Sequence, residues 1–504
     1  MPKPAARAAL LLFALLLGIA GPAQAQSRVD SIALQLAPAL AAADSFAAAE
    51  FAKDSVGSVT IGVIAGKELI WTRSYGYADM KARRFAGRRT VYRIGSITKP
   101  FTAVMLLQLV EAGKVKLSDP VERYFSEVRQ VIGLPEGAGP ITLLQLATMT
   151  SGLAREPREE GPFWTGPVSA WETTLISALP HTRYESFPGT RFSYSNIGYA
   201  ILGAALARAA GQSYVDWERD RVLGPLGMGR TRFELDPALE ADVARGYDVG
   251  RDGQPSDSVA SREARDGRGY KVPNGAIYTT VDDLARFVAF ELGQGPETVV
   301  SRVRLDSAFA GLVATAPGLS VGYGVGFMVE RDPARNGGLP WIGHNGGVTG
   351  YTAAMYYNRA AQLGVIAFRN ATGGSANLVR LAVDVLDRLV KTSQSSIVAE
   401  ATRLVELIRD GKYAEAATHW SRDLLEKFPA AEVQEFWTAT KTQAGNLRSI
   451  GAGTVNEGVS NRTVVLPLFF ERGGPRATMA VTFRPDRTVA DLVLRGLDPS
   501  QPRE

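Results

Sequence analysis

Residues 95–113, Gly-Ser-Ile-Thr-Lys-Pro-Phe-Thr-Ala-Val-Met-Leu-Leu-Gln-Leu-Val-Glu-Ala-Gly, constrain this chain more than any other stretch. From Phe101 onward the segment is apolar almost all round, so it reads as a buried helix with no face to give to water. Gly113 stops it. Pro100 is tolerated in a first helical turn and places the start close to Ser96. Ser96 and Lys99 are three apart and share one face of such a turn. A serine hydroxyl is a weak nucleophile until a base takes its proton. A lysine does so when burial or cationic neighbours lower its pKa. The free N–H groups of the first turn can steady an oxyanion. The plainer reading of the same letters is an N-capping serine and a solvated lysine. Ser-x-x-Lys arises by chance about once in a few hundred residues.

The organisation around this segment is α/β of the mixed (α+β) kind. The chain has 504 residues, 45% hydrophobic and 21% charged, enough for two or three globular domains. Residues 28–53 are alanine-rich and helical in period. Residues 59–65 and 68–75 read as a hairpin turned at Gly66. Helices are expected at 141–147, 171–179, 197–210 and 281–292, the last capped by Thr280. The segment 236–271 is polar and poorly patterned, a surface excursion. From Gly322 the period changes to two, with strands at 324–330, 352–358 and 362–370, then a helix at 376–389. Strands at both ends and helices between them predict one large domain, 26–390. Its sheet is built from both termini and carries a helical insertion. The polar run 391–396 reads as a linker. Residues 397–504 then form a small α+β domain, with helices at 397–409 and 424–440 and strands at 447–455, 462–471, 476–483 and 489–494.

Residues 1–25 have the form of a secretory signal. Lys3 and Arg7 precede an apolar run at 8–20, and Ala23-Gln24-Ala25 is a small-x-small site, so cleavage is expected after Ala25. The apolar run is short for a membrane span and no second one follows, so the mature chain is expected to be periplasmic or secreted without a span. There is no cysteine, which excludes disulfides and thiol chemistry. The only histidines, His181, His344 and His419, have no ligand spacing, so neither a metal nor another cofactor is expected. Of the net charge of +5, Lys3 and Arg7 supply two, leaving +3 (5 − 2), with no basic cluster to point to nucleic acid. A small molecule or peptide is the expected partner.

Two further motifs bear on chemistry. In Tyr194-Ser195-Asn196 a phenol beside an ammonium has its phenolate favoured, so it can relay a proton. The Asn196 amide can both donate and accept. The alternative is a capped helix start. His344-Asn345-Gly346-Gly347 reads as a Gly-rich turn before a strand, where glycines allow close approach of a substrate backbone. A lone histidine there also fits a structural hydrogen-bonder.

Taken together, Ser96-x-x-Lys99, Tyr194-x-Asn196 and His344-x-Gly346, in this order, resemble the serine β-lactamase and penicillin-binding-protein superfamily. The branch is that of class C β-lactamases, D-alanyl-D-alanine carboxypeptidases and related esterases. The flanks at 92–95, 146–153, 187–199, 226–228 and 273–287 are similar too, and the resemblance spans 56–389. It implies a mainly antiparallel sheet flanked by helices. It implies Ser96 as acylated nucleophile, Lys99 as base or support of the base, and Tyr194 as proton relay. Asn196 would hold a substrate carbonyl and His344 would stand where the third-motif lysine usually is. Gly346 would keep the strand edge open, and the N–H groups of Ser96 and Gly347 would form the oxyanion hole. Histidine at 344 is mostly neutral near pH 7, so it favours an ester or D-configured peptide over efficient β-lactam turnover. Residues 397–504 resemble a nuclear-transport-factor-2-like module. Two rivals stand beside this reading. Gly318-Leu319-Ser320-Val321-Gly322 fits Gly-x-Ser-x-Gly, but a strand-forming rather than helix-forming stretch follows it. A receptor that acylates without turnover would carry the same three motifs.

Overall fold

The hairpin expected at Gly66 begins a sheet that both ends of the large domain build. The computed structural model describes residues 32–497 except 159–160, 251–252, 257–266, 310–312, 316–319, 332–338, 458–460, 473–476 and 485. The leader expected at 1–25, with the cleavage expected after Ala25, lies outside the described residues. Strands β1 (Ser58–Ala65) and β2 (Glu68–Asp79) turn at Gly66, whose φ is +58°. The sheet continues with β3 (Arg84–Phe85), β4 (Val313–Ala314), β5 (Val321–Tyr323), β6 (Met328–Glu330), β7 (Trp341–Val348), β8 (Tyr351–Asn358) and β9 (Leu363–Arg369). Their order is β3-β2-β1-β9-β8-β7-β6-β5-β4, every neighbouring pair antiparallel. The first strand thus pairs with the last, Val59 opposite Arg369 and Ala65 opposite Leu363.

All eight residues of β1 are buried, because both faces of the sheet are covered. On one face Val59, Ile61 and Val63 pack with helix α1 (Ala37–Ala52) and with Leu378–Val390. On the other lie α2 (Thr98–Glu111), α3 (Leu143–Ala147), α4 (Asn196–Ala210) and α5 (Val281–Ala289), with Ile64, Met355, Ile366 and Phe368 beneath them. Every residue of α2 from Thr98 to Leu107 is buried, as its all-round apolar composition requires. Among the described residues no helix is long and apolar enough to cross a membrane.

Several expectations need correction. The strand expected at 324–330 is a hairpin, β5 and β6, turned through Gly326 at φ +88°. His344–Gly347 is not a turn before a strand; it lies inside β7, paired with β8, with His344 opposite Met355. Its glycines depress strand propensity and hid the strand. The excursion 236–271 is not wholly superficial. Tyr247–Val249 pairs parallel with Ala371–Gly373, and Tyr270 is fully buried. The run 391–396 is no linker, for α6 (Leu378–Arg409) passes straight through it. Its polarity lies on a helix surface. Lys391 pairs with Asp387 at 2.7 Å and the Ser395 hydroxyl donates to the Lys391 carbonyl at 3.0 Å.

The second half of α6, Ile397–Ile408, enters a separate hydrophobic core. That core is closed by α7 (Ala430–Ala444) and a five-stranded antiparallel sheet. Its strands are β10 (Leu447–Ile450), β11 (Thr454–Glu457), β12 (Arg462–Phe470), β13 (Ala477–Phe483) and β14 (Val489–Arg495). The helix expected at 424–440 is interrupted where Pro429 caps α7, and the strand expected at 447–455 divides into β10 and β11.

Candidate active site

Ser96 sits in a single 3-10 turn, Gly95–Ile97, that feeds directly into α2. Gly95 has φ +51°, and the Thr98 hydroxyl donates to its carbonyl at 2.8 Å, fixing the turn. The turn lies against β7. A Cβ on Gly346 would overlap the Ile94 carbonyl oxygen, and one on Gly95 would meet Gly347 N at 2.9 Å. Gly346 is therefore where β7 and the Ser96 turn touch backbone to backbone.

Lys99, one turn on, is fully buried. Its Nζ lies 3.1 Å from Ser96 Oγ, 2.7 Å from Asn196 Oδ1 and 3.2 Å from the Asn274 carbonyl oxygen. Burial drives its pKa well below the usual lysine value. Arg155, Arg268 and Lys271 push the same way and Glu156 opposes them. A neutral amine has two hydrogens and one lone pair. The Asn274 carbonyl and Asn196 Oδ1 are acceptors and take the two hydrogens. The lone pair is left for the Ser96 hydroxyl.

Tyr194 and Asn196 arrive together at the start of α4. Ser195 is the cap between them, accepting from Gly198 N at 3.0 Å and donating to the Ala154 carbonyl at 2.7 Å. The Tyr194 hydroxyl is hydrogen-bonded to Ser96, and the Lys99 Nζ lies 4.8 Å from the centroid of its ring. The expected phenolate is not what this environment favours. Burial raises the Tyr194 pKa above that of a free phenol and outweighs the Ser96 hydrogen bond. Tyr194 therefore rests as a phenol.

His344 is 1% exposed and lies behind Tyr194, ring centroids 6.2 Å apart. Its Nδ1 donates to the Asn345 carbonyl at 2.6 Å, so Nε2 accepts from the Tyr323 hydroxyl at 3.1 Å. Burial, with Lys99 adding to it, lowers its pKa to about 3, so it is neutral. It does not line the cleft. The expected place of a third-motif lysine is held by a buried, uncharged acceptor that packs against Tyr194.

Ser96, Asn196 and Gly347 open onto a cleft of about 730 Å³. Its other wall carries Arg155, Glu156, Trp164, Arg268, Lys271 and Asn274, none of which was singled out from sequence. Glu156 accepts from Asn196 Nδ2 at 2.6 Å and from the Tyr270 hydroxyl, and Lys271 Nζ lies 3.5 Å from it. Asn274 Nδ2 donates to the Asn196 carbonyl at 2.8 Å. The charged loop after Leu153 and the stretch 267–275 held these residues. Their polarity alone reads as surface. The rival Ser320 leads into β5 rather than a helix, and its hydroxyl donates to Glu330 at 2.5 Å. Gly318 and Leu319 of that motif lie outside the described residues.

The Beta-lactamase family model matches residues 43–388. A human beta-lactamase-like protein is 30% identical over 319 residues, which are 62% of this chain and 60% of that protein's length. The D-alanyl-D-alanine-carboxypeptidase/endopeptidase AmpH of Escherichia coli K12 is 28% identical over 337 residues, 63% of this chain and 82% of its own. A solved octameric penicillin-binding protein homologue from Pyrococcus abyssi shares the fold, with a TM-score of 0.59 at 21% identity. That match covers 90% of this chain and 98% of that one.

Proposed function

Because the chain belongs to the beta-lactamase family, we propose that it is an exported serine hydrolase that forms an acyl-enzyme on Ser96. Its substrates are esters or D-configured peptides. The observation that carries this reading is the Lys99 amine, buried, with acceptors for both hydrogens and its third partner, Ser96 Oγ, at 3.1 Å. Lys99 takes the Ser96 proton as Oγ bonds to the substrate carbonyl carbon. The carbonyl oxygen becomes an oxyanion, held by the N–H groups of Ser96 and Gly347. The leaving oxygen or nitrogen departs with a proton from Tyr194, which recovers one from Lys99. Water then cleaves the acyl-enzyme and restores Ser96. The neutral, enclosed His344 supports the preference against β-lactams, since the third motif itself supplies no cation for their carboxylate. The basic, apolar and small-residue succession of residues 1–25 supports export, with Gln26 as the mature N-terminus.

The test is a panel of p-nitrophenyl esters, D-alanyl peptides and cephalosporins, with a fluorophosphonate label, on wild type and Ser96→Ala. Wild type should be labelled once, at Ser96, and should turn over an ester or a D-alanyl peptide. Ser96→Ala should do neither. Labelling that survives Ser96→Ala overturns the assignment. Nitrocefin turnover at the rate of a dedicated β-lactamase overturns the substrate preference. Labelling without turnover replaces the enzyme by a receptor.

A further inference from the structure

We propose that Glu156 is a positioning residue for acylation. It holds the Asn196 amide so that its oxygen faces Lys99, and so keeps the amine's lone pair for Ser96. The proposal rests on Ser96 being the nucleophile. The two ends of an asparagine amide are nearly equal in shape and opposite in function. Presented to Lys99 by its NH2 end, Asn196 would donate into the lone pair that Ser96 needs and leave an amine hydrogen without its acceptor. The carboxylate of Glu156 prevents that. It can only accept, and its Oε1 takes the hydrogen of Asn196 Nδ2 at 2.6 Å. The amide oxygen is thereby turned to Lys99, at 2.7 Å.

Glu156 is itself held from a third segment. The Tyr270 hydroxyl donates to its Oε2, and the Lys271 ammonium stands 3.5 Å from Oε1, with its nitrogen 3.9 Å from the Trp164 ring centroid. One carboxylate thus joins the loop after Leu153, the start of α4 and the stretch before Asn274. All three border the same cleft. The charge of Glu156 has a second consequence. The groups facing Lys99 are Arg155 and Glu156 from one loop, Arg268 and Lys271 from another, Tyr194 and Tyr199 from α4 and its approach, and His344 from β7. Of the four charged ones, Glu156 alone favours the protonated amine.

The experiment is a double-mutant cycle on the full chain, with Glu156→Ala, Asn196→Ala and the double variant. The acylation rate is read with a chromogenic ester under single-turnover conditions, and Glu156→Gln is added across pH 5–9. Glu156→Ala should slow acylation about tenfold or more in the wild-type background, with little change in KM. It should cost less than about twofold when Asn196 is already alanine, because no amide is left to orient. Glu156→Gln keeps an acceptor for Asn196. It should stay within about threefold at its optimum while the acid limb moves to lower pH, since Lys99 has lost its nearby anion. Equal losses in both backgrounds, a loss confined to KM, or an unmoved acid limb in Glu156→Gln would each overturn the proposal. The glutamine variant decides the matter if the alanine variant does not fold. Wild type that is never labelled at Ser96 overturns the hydrolase reading and this one together. A labelled wild type with an additive cycle overturns only the role of Glu156.

Discussion

The Nζ of Lys99 lies 2.7 Å from the side-chain oxygen of Asn196, and each residue stands in the first turn of its own helix, α2 and α4. The positive ends of both helices therefore face one buried amine, and a helix N-terminus disfavours a cation. Enclosure and the cations Arg155, Arg268 and Lys271 act against protonation, and Glu156 acts for it. Sequence could place Lys99 beside Ser96. It could not show that three segments would converge to lower the amine's pKa.

That convergence fixes the shape of the pH–rate profile. Lys99 acts as a base only when unprotonated, and its pKa is lowered, so acylation should persist to pH values well below those of an ordinary lysine. As pH falls through the Lys99 value the rate should fall. Lys99→Arg, cationic throughout this range, should lose at least about a hundredfold at every pH. Stopped-flow acylation between pH 5 and 9 checks both. A rate still rising tenfold per pH unit at pH 9 would return Lys99 to an ordinary ammonium.

Gly346 tests the backbone contact between β7 and the nucleophile turn. A methyl there would overlap the Ile94 carbonyl and stand 3.2 Å from Ser96 N. Both neighbours are main chain, so the turn itself must move. Gly346→Ala should destabilise the fold by about 1–3 kcal/mol. It should reduce acylation more than its melting temperature implies, because the Ser96 N–H shifts with the turn. Gly347 offers the contrast. A Cβ there meets nothing within 4 Å, so Gly347→Ala should fold normally. Urea melts beside single-turnover acylation separate the two.

How much of this was legible follows from what each residue contacts. α2 was readable because ten consecutive buried residues leave a local apolar record. The hairpin at Gly66 was readable because period and turn residue agree. β7 was not, since the same glycines that let it touch the turn erase the alternation that marks a strand. α6 was misread at 391–396 because polar residues on a helix surface look like a linker when length and caps are ignored. Ser96, Lys99, Tyr194 and Asn196 were found through short spacings and are brought together here. Glu156 and Asn274 were missed because each matters through partners far along the chain, 40 residues away for the Glu156–Asn196 bond and 175 for Lys99 to Asn274.

His344 should be silent in the activity profile across neutral pH. Its pKa, lowered to about 3, keeps it uncharged there, and its hydrogen bond with Tyr323 and its ring contact with Tyr194 assign it to supporting both. Its signature belongs in stability. A base whose folded pKa is depressed contributes stability that is complete above about 6.5 and is lost as pH falls from there toward 3. His344→Gln keeps an acceptor and removes the proton site. It should leave the neutral-pH acylation rate within about threefold and, on going from pH 6.5 to 4, change in stability more favourably than wild type does. Urea denaturation at those two pH values, wild type against variant, reads the difference. An equal slope in both would show that His344 is not buried neutral.

Two buried carboxyls act in the opposite direction. Glu218 is fully buried, with no hydrogen-bond partner for either oxygen among the described residues, and burial raises its pKa to about 8. Glu291 is raised to about 8 as well, chiefly by burial, with one oxygen accepting from the Tyr357 hydroxyl at 3.2 Å. An acid whose folded pKa lies above its unfolded value binds more protons folded than unfolded. Its contribution is complete below about 4.5 and is lost as pH rises toward 8. Wild type should therefore weaken between pH 5 and 8. Glu218→Gln carries no titrating group, so it should lose about 2–4 kcal/mol less over that interval, at about 1.4 kcal/mol per pK unit. The comparison is of slopes, so the fixed cost of burying an amide cancels. Denaturation curves at pH 5 and 8 give the four free energies required. If the variant weakens as steeply as wild type, the Glu218 carboxyl is already ionised in the fold, and a partner for it must exist.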